Sequence, residues 1–138
     1  MQLIVIDASV VASWFLPDEN AGKYSELFNH LDRLQIMVPV IFEYEILNIV
    51  LIARKRGRIS PTIQKDIVNK LKELPIDVED CTNDGSYSAY ELANTYSLTV
   101  YDASYLELAN RLKLPLLTYD KEMLRVIKQL GITTTIQG

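Results

Sequence analysis

The feature that most limits what this chain can fold into is a short apolar run that ends in an acid, Leu3-Ile4-Val5-Ile6-Asp7. Four apolar residues in a row, three of them β-branched, suit a strand covered on both faces. Asp7 with Ala8-Ser9 behind it favours a turn or a helix N-cap over a continued strand. The Asp-Ala-Ser triplet returns at Asp102-Ala103-Ser104, after Thr99-Val100-Tyr101. A third run, Leu116-Leu117-Thr118-Tyr119, also meets an acid, Asp120. Each of the three reads as a β-favouring run followed by aspartate. Open parallel sheets bind ligands at the carboxyl ends of their strands. Three acids gathered there make a candidate cation site.

The rest of the chain reads as helices and short strands. Ser9 to Phe15 is expected to be helical, and Leu16 to Asn20 a loop. Ala21 to Leu34 is expected to be a helix with Tyr24, Leu27, Phe28 and Leu31 on one face. Gln35 to Val38 is a short strand stopped by Pro39. A helix follows from about Ile41 to Arg56, with Gly57 as its C′ residue and Arg54-Lys55-Arg56 at the negative end of the dipole. Ser60-Pro61 starts a helix that runs to Leu74, ended by Pro75. Ile76 to Glu79 is a strand, Cys81 to Gly85 a loop, and Ser86 to Tyr96 a helix. Asp102 is expected to cap a helix over Ala103 to Leu112. Leu116 to Tyr119 is a strand, Lys121 to Leu130 a helix stopped by Gly131, and Ile132 to Ile136 a last strand. Strands separated by helices imply an α/β fold with a small, mainly parallel sheet of four to five strands, flanked by helices. At 138 residues the chain is expected to form a single domain over 1–138.

Composition narrows the chemistry. The net charge is −4 and the pI about 5.0, which argues against a broad basic face for duplex DNA. There is one cysteine, Cys81, so neither an intrachain disulfide nor a cysteine zinc site is available. There is one histidine, His30, which removes the commonest general base and most transition-metal sites. An enzyme built from this chain works with carboxylates, hydroxyls and a hard metal ion. The apolar N-terminal run is too short for a signal peptide and is broken by Asp7. No stretch approaches a membrane span, since Ile46 to Ala53 is interrupted by Asn48 and followed by basic residues. A soluble, cytoplasmic protein without a membrane partner is expected.

Taken singly, Asp7, Asp102 and Asp120 can each be a helix cap. Capping can equally use Ser, Thr or Asn, so three aspartates at corresponding places suggest more. Glu45 lies on the helix after Pro39 and shares a stripe with Asn48, Ile52 and Arg56 at helical steps of three and four. It can be a solvated surface acid, or it can point over the sheet edge towards Asp7. The basic cluster Arg54, Lys55, Arg56 and Arg58 can be a solvated helix end or a phosphate contact.

These residues carry a resemblance. Ile6-Asp7-Ala8-Ser9, Glu45 with Asn48, Tyr101-Asp102-Ala103-Ser104 and Thr118-Tyr119-Asp120 together resemble the PIN-domain nucleases. Among these the chain is most similar to the VapC-type toxins of toxin–antitoxin pairs. Tyr44-Glu45 with Asn48, Arg56-Gly57-Arg58-Ile59 and Tyr101 to Ala109 fit that group. Glu43 stands where the family often has a basic residue, and Trp14 is bulkier than usual. The resemblance implies a PIN-like three-layer sandwich and a Mg²⁺- or Mn²⁺-dependent endoribonuclease.

In that scheme Asp7, Glu45, Asp102 and Asp120 hold one or two ions, directly or through water. Ser9, Thr118 and Asn48 orient the carboxylates. Arg56 and Arg58 contact RNA. The resemblance also implies a homodimer and a cognate VapB-type antitoxin that blocks the acidic groove. Two alternatives remain at this point: a PIN fold kept as a binding or scaffold module without catalysis, and a receiver-type signalling domain. The receiver reading lacks adjacent acids after the first strand and a lysine after the last.

Overall fold

A computed structural model of the chain describes residues 1–19, 22–80 and 84–136. Four strands form one parallel sheet in the order β3-β2-β1-β4: β1 is Gln2–Ile6, β2 Leu34–Pro39, β3 Ile76–Glu79 and β4 Leu116–Leu117. In β1, Ile4 and Ile6 point to one face and Val5 to the other, and all three are fully buried. Both faces of the sheet are therefore covered, as the unbroken apolar run implies. The helices that cover it are α1 (Ala8–Phe15), α2 (Ile41–Lys55), α3 (Pro61–Leu71), α4 (Gly85–Tyr96), α5 (Val100–Leu112) and α6 (Lys121–Leu130). α5 lies against β1, β2 and β4, with α4 and α6 beside it; α2 contacts β2, with α1 and α3 alongside.

The chain runs outward from β1 through β2 to β3 and then returns to place β4 on the other side of β1. The strand order therefore reverses between β1 and β4. In open α/β sheets that reversal leaves a crevice at the carboxyl ends of the two strands. β1 and β4 are in register there, with Ile6 opposite Leu117, and the Asp7 N–H donates to the Leu117 carbonyl at 3.1 Å. Asp7 and Thr118 thus leave the sheet side by side.

Local chemistry explains most element ends. Gly57 has a φ of +72°, and around it the Arg58 N–H reaches back to the Ala53 carbonyl, closing α2. Ser60 Oγ accepts from the Ile63 N–H ahead of Pro61 at the start of α3. Asp7 and Asp120 cap α1 and α6, accepting from the Val10 and Met123 N–H groups.

Four expectations need correction. The segment expected as a helix from residue 21 is a 3-10 helix over Ser25–Arg33, kinked at His30. The spacing of Tyr24 to Leu27 and of Phe28 to Leu31 is three residues, which suits a 3-10 turn as well as an α-helix. α3 stops at Leu71 rather than Leu74, and its end tightens through i to i+3 bonds ahead of Pro75. No strand precedes Asp102: Thr99 is the cap of α5, its Oγ1 accepting from the Asp102 N–H at 3.1 Å, and Asp102 lies inside the first turn. Ile132 to Ile136 is not a strand; the Thr133 carbonyl accepts one bond from the Leu116 N–H. Of the loop expected at Cys81 to Gly85, residues 81–83 lie outside the described residues, and Gly85 already belongs to α4.

The cap assignment can be tested by stability. Thr99→Ala is expected to cost about 1 kcal/mol, whereas Thr99→Ser is expected to be nearly neutral. Urea unfolding of the two variants measures this; an alanine variant as stable as wild type would remove Thr99 from that role.

Candidate active site

Asp7 is the centre of the crevice. Asp7 is only 6% exposed, yet three donors meet its carboxylate. Oδ1 accepts from the Ser9 hydroxyl at 2.6 Å and from the Val10 N–H at 3.2 Å, and Oδ2 accepts from the Thr118 hydroxyl. Burial pushes its pKa up, and these three bonds oppose the rise. Thr118, 1% exposed, also accepts from the Asp120 N–H at 3.0 Å, so it ties the ends of β1 and β4 together.

The other acids arrive on helices. Asp102 sits in the first turn of α5, and Glu45 projects from the second turn of α2. The Glu45 carboxylate is half-buried, and its Oε1 accepts from the Tyr105 hydroxyl at 2.7 Å. Burial raises the pKa of Glu45, and the charges of Asp102 and Asp7 add to the rise. Burial likewise raises Asp102, helped by the charge of Asp120. Asp102 in turn raises Asp7. Repulsion therefore links Asp7, Glu45 and Asp102, and Asp120 acts on Asp102. Among the described residues, none of them is ion-paired with a lysine or arginine.

Uncompensated carboxylates that feel one another's charge make a candidate site for a cation. The donors are all oxygen, which suits a hard ion such as Mg²⁺ or Mn²⁺. Among the described residues, no group of three acidic, histidine or cysteine side chains is gathered tightly enough to hold a metal as it stands. Binding would have to draw the carboxylates inward. Glu45, Asp102 and Asp120 can supply that movement; Asp7 is already held on three sides.

The remaining candidates are distributed as follows. Ser9 and Thr118 both bond to Asp7. Asn48 is exposed one turn beyond Glu45 and is not bonded to any acid of the site. Arg56, at the end of α2, is eleven residues from Glu45, about 16 Å along a helix. Arg58 is nearer: with Ser9 and Tyr119 it lines an open pocket of about 410 Å³. Its guanidinium pairs with Asp18 at 2.7 Å and Glu19 at 3.1 Å. Tyr105 was not foreseen. A buried phenol needs a hydrogen-bond partner, and that was the available signal.

The sequence matches the family model described as PIN domain over residues 4–129. The chain belongs to the PIN domain family. A curated relative, ribonuclease VapC3 of Pyrobaculum aerophilum, is 27% identical over 125 residues, covering 87% of this chain and 91% of its own. Two solved structures share the fold. A Mycobacterium tuberculosis VapC20, described as a sarcin-ricin loop cleaving toxin, superposes with a TM-score of 0.65 at 14% identity, covering 97% of this chain and 99% of its own. A toxin–antitoxin complex from Klebsiella pneumoniae gives 0.62 at 18%, covering 98% and 99%. Membership of the PIN family sets the receiver-type alternative aside, as does the sheet order, which differs from the 2-1-3-4-5 of receiver-like folds. Among the described residues of this PIN domain, no helix is long and apolar enough to cross a membrane.

The shared repulsion has a measurable consequence. A carboxylate whose pKa is raised by folding costs stability at neutral pH, and the cost disappears as pH falls below its unfolded value near 4. In EDTA, Asp102→Asn is therefore expected to melt above wild type at pH 7, with the gap closing towards pH 4. Mn²⁺ is expected to stabilise the wild type more than the variant. Melting curves that coincide under all these conditions would contradict the coupling.

Proposed function

We propose that this PIN domain is a metal-dependent endoribonuclease, the toxin of a toxin–antitoxin pair, and that Asp7, Glu45, Asp102 and Asp120 form its active site. The observation that carries the reading is the set of carboxylates Asp7, Glu45 and Asp102, coupled by charge and joined by Asp120 beside Asp102, none paired with a basic residue among those described, around the switch point of the sheet. Its relation to a protein named as a ribonuclease agrees with it.

Asp7 and Asp102 would be the main ligands of a Mg²⁺ or Mn²⁺ ion, with Glu45 and Asp120 completing the set directly or through water. When bound, the ion supplies Lewis acidity and an activated water for attack on phosphorus. The protein's own work is positional. Ser9 and Thr118 fix the Asp7 carboxylate, so it meets the ion without further loss of freedom. His30 adds no hydrogen bond or charge to the acids, so acid–base steps fall to carboxylates and water.

RNA enters along the acidic crevice, and Arg56 and Arg58 serve flanking phosphates. Arg58 must exchange Asp18 and Glu19 for RNA to do so. A homodimer and a VapB-type antitoxin complete the assembly. A basic antitoxin side chain would satisfy the same carboxylates and so compete with the metal.

Asp7→Asn and Asp102→Asn are each expected to lower Mn²⁺-supported RNA cleavage by roughly 100-fold or more while the fold remains. Wild-type rates in these purified variants would refute the assignment and favour a catalytically silent module. At one fixed salt concentration, Arg56→Ala is expected to weaken RNA binding more than Lys55→Ala, as titrations would show; equal losses would mean a non-specific charge effect.

A further inference from the structure

Tyr105 is 1% exposed and lies on α5, one turn after Asp102. Its hydroxyl is placed among three elements that each bring an acid to the crevice. It donates to Glu45 Oε1 on α2 at 2.7 Å. The backbone N–H of Ala8, next to Asp7, faces the same hydroxyl from the start of α1. The ring is anchored in the core through α5, which also carries Asp102.

We propose that Tyr105 is a positioning residue whose hydroxyl holds the Glu45 carboxylate turned towards Asp7 and Asp102, so that the acids can close on one divalent cation. The inference rests on the reading of this site as that of a metal-dependent nuclease.

The physics is a contest between repulsion and one hydrogen bond. Glu45 has three rotatable bonds and feels the charges of Asp7 and Asp102. Left alone, it lowers its energy by swinging outward to water. The Tyr105 bond opposes that swing. It occupies one lone pair of Oε1, leaving Oε2 free to meet an ion. If the ring were needed only to fill space, phenylalanine would serve without a hydroxyl to satisfy.

Tyr105→Phe keeps the ring and removes the hydroxyl. Mn²⁺ affinity, measured by calorimetry on the full chain without RNA, is expected to fall about 10-fold, as losses of groups that orient metal ligands do. At saturating Mn²⁺, kcat for RNA is expected to fall while KM stays near wild type. In a Glu45→Gln background, Tyr105→Phe is expected to cost no further affinity, because its effect passes through Glu45. A structural role alone would lower the melting temperature and leave Mn²⁺ affinity unchanged, and that result would overturn the inference. Should the phenylalanine variant not fold, Tyr105→Leu, which also lacks the hydroxyl and leaves Glu45 intact, is expected to lose affinity comparably; full affinity there would overturn it too. If wild type binds Mn²⁺ and cuts RNA but Tyr105→Phe binds equally well, this inference alone fails. If wild type neither binds Mn²⁺ nor cuts RNA, the nuclease reading fails with it.

Discussion

The site depends on one pairing, between the ends of β1 and β4. The Asp7 N–H bonds to the Leu117 carbonyl, and the Thr118 hydroxyl bonds back to the Asp7 carboxylate. A carboxylate taken almost wholly out of water is costly unless donors replace the lost hydration. Ser9, Val10 and Thr118 do so here. These donors lie on both strand ends, so the Asp7 carboxylate keeps all three hydrogen bonds only while β1 and β4 are aligned. That alignment fixes the bottom of the crevice and gives the helices a reference against which to present their acids.

The helices contribute acids held less firmly. Asp102 and Glu45 are about half-buried, and each has its pKa raised first by burial and then by neighbouring charge. The cluster thus stores repulsion that a cation can release. The same repulsion keeps the carboxylates from collapsing on one another. This accounts for a donor set that is right in kind but not closed among the described residues. A rigid acid at the base and adjustable acids around it suit an ion that must be bound together with a phosphate and then released.

Much of this was legible in the sequence where the signal is local. The apolar run into Asp7, the Ser60-Pro61 start and the Gly57 stop each depend on neighbours within one turn, and each holds. Asp102 is presented by the first turn of a helix and not by a strand end. Thr99-Val100-Tyr101 looks like a strand, but Thr99 followed three residues later by an acid is also a helix-start pattern, and the helix wins. The last β-branched stretch failed as a strand because β4 has only two residues to pair with before Thr118 turns to Asp7. The Tyr105 contact was illegible for another reason. It joins residues sixty positions apart, and only the packing of α5 against the sheet brings them together.

The central claim is that one cation sits among Asp7, Glu45, Asp102 and Asp120. Crystals grown with Mn²⁺ and measured near the manganese absorption edge would test it most directly. The account predicts an anomalous peak bounded by the Asp7 and Asp102 carboxylates, with Glu45 still bonded to Tyr105. A well-ordered crystal at saturating Mn²⁺ with no peak there, or with its strongest peak outside the crevice, would contradict it.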